Sequence, residues 1–160
     1  MGCDIHMYAE YTDDPIAGHW AGFGGRINPG RDYDLFGKLA GVRTDGQMFP
    51  VRGKPDRLGI YASSDDSLYI TNEPGDGHVT RERAEDWIAR GLSRWTDERE
   101  VFVTSPDNHT HSWITPAELR QALEAPARWE HGAAYWALLA ALEELERRGN
   151  TARVVFWFDN

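Results

Sequence analysis

The chain has 160 residues, 41% of them hydrophobic and 27% charged, which suits one globular domain and excludes wholesale disorder. Its net charge of −9 excludes a general coat for nucleic acid, whose affinity comes largely from neutralising phosphates. A lone cysteine, Cys3, excludes an intramolecular disulfide and a multi-cysteine zinc site. The start carries no basic segment followed by an apolar stretch, and no apolar run approaches the roughly 18 residues that cross a bilayer. A cytoplasmic protein without a membrane partner is expected, and the oligomeric state stays open.

Gly2 to Tyr11 alternates with period two, the mark of a strand. Cys3, Ile5, Met7 and Ala9 share one face, and Asp4, His6, Tyr8 and Glu10 share the other, which is expected to meet water. Residues 12–30 hold two prolines and five glycines and read as loop. Asp32 to Leu39 reads as a short helix stopped by Gly41, and 46–60 as loop. Ser67 to Thr71 suggests a short strand. Thr80 to Ala89 reads as a capped helix, and Glu100 to Thr104 as a strand broken by Ser105-Pro106.

Thr115-Pro116-Ala117-Glu118 starts a helix with a cap, a proline and a capping glutamate. A longer helix is predicted over 127–148, with Gly149 as its stop. Ala152 to Phe158 is β-branched and aromatic on both sides, hence a central, doubly covered strand, with the first strand as its antiparallel neighbour. These elements predict one α+β domain over residues 1–160. Its mostly antiparallel sheet contains both terminal strands, with about four helices around it.

Charge is unevenly placed. Between Arg26 and Arg57 lie seven basic residues against four acidic ones. Such a stretch either serves a small anionic ligand or pairs with acidic neighbours at the surface.

Two constellations carry possible chemistry. Asp4-x-His6 places a carboxylate and an imidazole on one strand face; they either grip one ion or form a plain polar face. Asp107-Asn-His109-Thr-His111-Ser-Trp113, read as a loop between strand and helix, offers two imidazoles in a His-x-His arrangement. Asp107 or Asn108 there equally suits a turn. Asp4, His6, His109 and His111 together supply the ligands of a mononuclear zinc or manganese site. Asp4, His6 and His111 are then the expected catalytic residues, while Arg31, Tyr33 and Trp113 hold the ligand. Trp20 and Trp113 either pack or stack on a planar ligand. Asp159 is expected to approach Asp4 or His6 if the terminal strands run antiparallel, unless the end is frayed. His131 reads as surface or packing, and Cys3 as a buried hydrophobe.

The opening Met1-Gly-Cys-Asp-Ile-His6, the segment Arg31-Asp-Tyr-Asp-Leu-Phe36, the loop Asp107 to Trp113 and the ending Val154-Val-Phe-Trp-Phe-Asp-Asn160 carry a resemblance. The chain resembles a family of small uncharacterised proteins of bacteriophages and prophages. The resemblance implies a phage setting and no particular activity. Two expectations follow. One is a metal-dependent hydrolase of a phosphate-bearing or nucleotide substrate. The other is a non-catalytic binding protein that sequesters a nucleotide or inhibits a host protein.

Overall fold

A computed structural model describes residues 2–73 and 75–160; Met1 of the opening motif lies outside them. The fold is α+β. The main sheet is built from β1 (Asp4–Thr12), β2 (Ala21–Gly22), β6 (His109–Ile114) and β7 (Thr151–Asp159), in the order β2-β1-β7-β6, with every pair antiparallel. The terminal strands pair along their whole length, from Asp4 opposite Asp159 to Thr12 opposite Thr151. β7 is therefore central, and Ala152 to Phe158 is buried without a break.

One face of this sheet carries Ile5, Met7 and Ala9 of β1, with Cys3 just before it, and Val154, Phe156 and Phe158 of β7. It packs on α1 (Tyr33–Ala40), α4 (Pro116–Glu124) and α5 (Ala133–Arg147) to form the main core. Burial of Phe156 and Phe158 alone contributes about 2–3 kcal/mol each. Local signals fix the helix ends. The Asp32 carboxylate accepts the Leu35 N–H at the start of α1, and Gly41 closes it at φ 68°. At α4, Thr115 and Glu118 form a complete capping box, and Pro116 takes the first turn.

A second sheet of β3 (Ser67–Ile70), β4 (His78–Val79) and β5 (Phe102–Thr104), ordered β4-β3-β5, packs with α3 (Arg81–Ala89). No helix among the described residues is long and apolar enough to cross a membrane.

The helices, expected at about four, number five among the described residues, the additional one being α2 (Ile60–Asp65). Three sequence expectations are corrected. Most of the polar face of β1 does not meet water: His6, Tyr8 and Glu10 are buried, while Asp4 stays partly exposed. Leu58 and Ala62 cover that face, packing on Tyr8, Val155, Trp157 and Trp113. The His109–Trp113 segment is a strand, because β7 offers it an open edge of backbone donors and acceptors. The long helix starts at Ala133 rather than 127. His131, just before it, is buried: its Nδ1 bonds Asp32 Oδ2 at 2.6 Å and its Nε2 faces Lys38 Nζ at 3.2 Å. Lys38 also donates to the carbonyls of Ala122 and Ala125 at the end of α4. This polar knot holds 126–132 down in non-helical form.

Candidate functional site

The sheet face opposite the main core carries the chemistry, at the end where β1 begins and β7 finishes. Its centre is Trp157, fully buried and paired in register with His6. The rings of His6 and Tyr8 stack against the indole from β1, at centroid distances of 5.5 Å each. His111 stacks on it at 5.3 Å from β6, on the other side of β7. The indole thus stands between two imidazoles. Its N–H finds no acceptor among the described residues, an omission that costs about 1–3 kcal/mol in a buried group.

Each imidazole is held by carboxylates. His6 Nδ1 bonds Asp65 at 2.6 Å and Nε2 bonds Asp159 at 2.9 Å. Asp65 also accepts the Tyr8 hydroxyl at 2.6 Å. Burial works against a charged His6, but the hydrogen bonds to Asp65 and Asp159 outweigh it and raise its pKa above the ordinary value. Burial likewise opposes ionised Asp65, yet the bonds from His6 and Tyr8 hold its pKa below normal. Burial and the neighbouring carboxylate push the Tyr8 phenol strongly up. Both ring nitrogens of His6 thus meet carboxylate oxygens, an arrangement that favours the charged imidazolium over the neutral ring.

His111 is arranged differently. Its Nε2 bonds Asp66 Oδ1 at 2.6 Å, and Asp66 in turn holds Lys54 at 2.6 Å and Asn108 at 3.1 Å. Against the cost of burial, His111 and Lys54 keep the Asp66 carboxyl below its usual range. Nδ1 of His111 makes no hydrogen bond among the described residues. One carboxylate thus fixes the ring and leaves the other nitrogen free.

The four expected ligands do not assemble. Asp4 lies on the same sheet face as His6, but both its oxygens are taken by Arg31, at 2.6 and 3.0 Å, which lowers its pKa. His109 and His111 point to opposite faces. Thr110 sits at φ 54°, and a bulge between His109 and Ser112 adds a residue, so His109 shares the face of Phe158 and stacks on it at 6.1 Å. Burial depresses the His109 pKa. Both nitrogens of His6 point away from each other into carboxylates. Among the described residues no group of three or more His, Cys, Asp or Glu side chains is placed to hold a metal ion. Cys3 is buried in the main core.

Among the expected ligand-holding residues, Arg31 and Tyr33 stay near the opening strand. The Arg31 guanidinium fills the space where a side chain on Gly2 would lie, and the Tyr33 hydroxyl accepts the Cys3 N–H at 3.4 Å. Trp113 is not with them. It packs with the Val155–Trp157 cluster under the Arg52 guanidinium, 4.7 Å away. Most of the basic stretch is spent on acidic neighbours: Arg31 on Asp4, Lys38 on Asp34, Arg52 on Glu118, Lys54 on Asp66. Arg26 forms no ion pair among the described residues; its guanidinium reaches only the Ile5 carbonyl, at 3.4 Å. It lies close enough to act electrostatically on Asp4, His6, Tyr8 and Asp65.

Asp159 reaches His6 and also accepts the Asp4 N–H at 3.2 Å, so the end of β7 is anchored. Asp65 and Asp66 had no sequence signal beyond an acidic pair in a Ser-rich stretch, and Trp157 read simply as core. An acidic pair directly before a strand, as in Asp65-Asp66-Ser67, is the one cue that pointed to them. No family model, curated protein or solved structure matches the chain.

Proposed function

We propose that this face is the acid–base site of a small hydrolase acting on a phosphate-bearing substrate. The supporting observation is the pair of imidazoles across Trp157, one bonded on a single nitrogen by one carboxylate and the other bonded on both nitrogens by two. One ring with a free nitrogen beside one with both nitrogens engaged is the geometry that a base and an acid working together require.

In this reading Asp66 fixes the His111 tautomer, and Nδ1 accepts a proton from an attacking water. The substrate's anionic oxygens displace the partly exposed Asp159 carboxylate from His6 Nε2 and meet Arg26, whose guanidinium has no other anionic partner. The exposed Nε2–H then protonates the leaving oxygen. The water oxygen bonds to phosphorus as the bond to the leaving oxygen breaks; His111 ends with one water proton, the phosphate keeps the other, and His6 ends neutral, having given its proton to the leaving group. We propose, on the resemblance to phage proteins alone, the cytoplasm of a bacterial host as the setting of this chemistry.

The test is hydrolysis of a panel of nitrophenyl phosphate esters and nucleotides, with and without added zinc or manganese. Turnover is expected without added metal, reduced at least a hundredfold in His111→Gln and Asp66→Asn. Asp159→Asn should tighten inhibition by inorganic phosphate, because it removes a competing anion. Activity that appears only with zinc or manganese would replace this reading with metal chemistry. A nucleotide that raises the melting temperature and is recovered intact would make the protein a binder.

A further inference from the structure

The other end of the same sheet holds a cavity of about 450 Å³, lined by Trp20, Trp113, Asp56, Arg57, Arg153 and Thr151 among others. Volumes of this order suit a small-molecule ligand. Its two indoles come from segments 93 residues apart in the chain, Trp20 from the loop before β2 and Trp113 from β6.

The donors of the two cations lining the cavity are engaged. Arg153 is buried, bonded twice to buried Glu10 at 2.8 and 3.0 Å, and lies 3.7 Å from the centre of the Trp20 ring. Arg57 donates to the carbonyls of Ile16 and Gly18. Asp56 differs: it is exposed and has no hydrogen-bond or ion-pair partner among the described residues. It also lines the adjoining cavity with Trp20 and Arg57. Arg153 is paired with Glu10 and Arg57 turns its donors to backbone carbonyls, so the aromatic walls and the free Asp56 carboxylate are the groups left for a ligand. They favour a flat ring that offers N–H donors to Asp56.

We infer that the Trp20–Trp113 cavity is a second ligand site, binding a guanine base, whose adjacent ring N–H and amino group match the two oxygens of the Asp56 carboxylate. A carboxylate accepting two parallel N–H bonds gains direction as well as strength. The indoles, each with a guanidinium over its ring, supply aromatic surface that any base tolerates, so the choice among bases falls to Asp56. The site stands apart from the His6–His111 chemistry and does not depend on it.

Isothermal calorimetry and tryptophan fluorescence with guanosine, inosine and adenosine test the assignment. Guanosine should bind at one site per chain. Inosine, lacking the amino group, should bind at least tenfold more weakly, and adenosine more weakly still. Asp56→Asn should weaken guanosine at least tenfold with an unchanged melting temperature, whereas Asp66→Asn should leave it as tight as wild type. Trp20→Phe should remove part of the fluorescence change while keeping affinity within about threefold. Failure of guanosine to bind, equal binding of adenosine, or an Asp56→Asn variant that binds normally would each overturn the assignment.

Discussion

Replacing Asp65 by Asn strikes the clamp on His6 while leaving the shape of the site intact. In the wild type the Asp65 carboxylate accepts two bonds of 2.6 Å, from His6 Nδ1 and the Tyr8 hydroxyl. Asparagine keeps an acceptor for Tyr8 but cannot balance the imidazolium. Bonds to a charged group are worth about 1.5–3 kcal/mol, and Asp65 is 31% exposed, so a loss of about 2 kcal/mol at pH 6 is expected. For a chain of this size that lowers the melting temperature by about 4–8 °C. The pH dependence gives the sharper signature. The His6 pKa is raised on folding, so its contribution is full below the ordinary histidine value and fades as pH rises through the folded one. Asp65, depressed on folding, contributes above the ordinary carboxylate range and fades in acid. The clamp is therefore strongest between those limits. Urea unfolding at pH 6, 7, 8 and 9 should show the gap between wild type and Asp65→Asn closing as pH rises. A gap that stays constant across this range, or one below about 0.5 kcal/mol at pH 6, would refute the ionised clamp.

The remaining predictions concern the frame around the site. Glu10→Ala strands the buried Arg153 guanidinium and the Gly59 N–H, and should cost about 3–5 kcal/mol in urea unfolding. Glu10→Met with Arg153→Met should recover most of that; a double variant as unstable as the single one would show that the charge is not the cause. Lys38→Met removes the donor to the Ala122 and Ala125 carbonyls and to His131, with an expected cost of about 2 kcal/mol and faster proteolysis in 126–132. Deleting Val154 to Asn160 removes most of the central strand and should yield insoluble protein. A soluble truncation that melts cooperatively would contradict the central place of β7.

Local chemistry in the sequence determined most of the secondary structure. Period-two alternation marks β1, aromatic and β-branched density marks β7, and Thr80, Thr115 with Glu118, and Gly41 mark helix ends through bonds made within a few residues. The pairing of the terminal strands was legible because only one other segment matched the apolar demand of Ala152 to Phe158. What the sequence could not show is which side chains meet. The His-x-His spacing implies one shared face, and a single bulge at Thr110, made by pairing with β7, separates the two rings. The polar residues of β1 look solvated until a segment some 50 residues later folds over them and brings Asp65 and Asp66 to His6 and His111. Those partners are 59 and 45 residues apart in the chain, a separation at which residue spacing carries no geometric information. Only closure of the fold decides whether a carboxylate takes a metal ion, an arginine or a histidine. In this chain Asp4 went to Arg31, and the two histidines went to acids that α2 delivered.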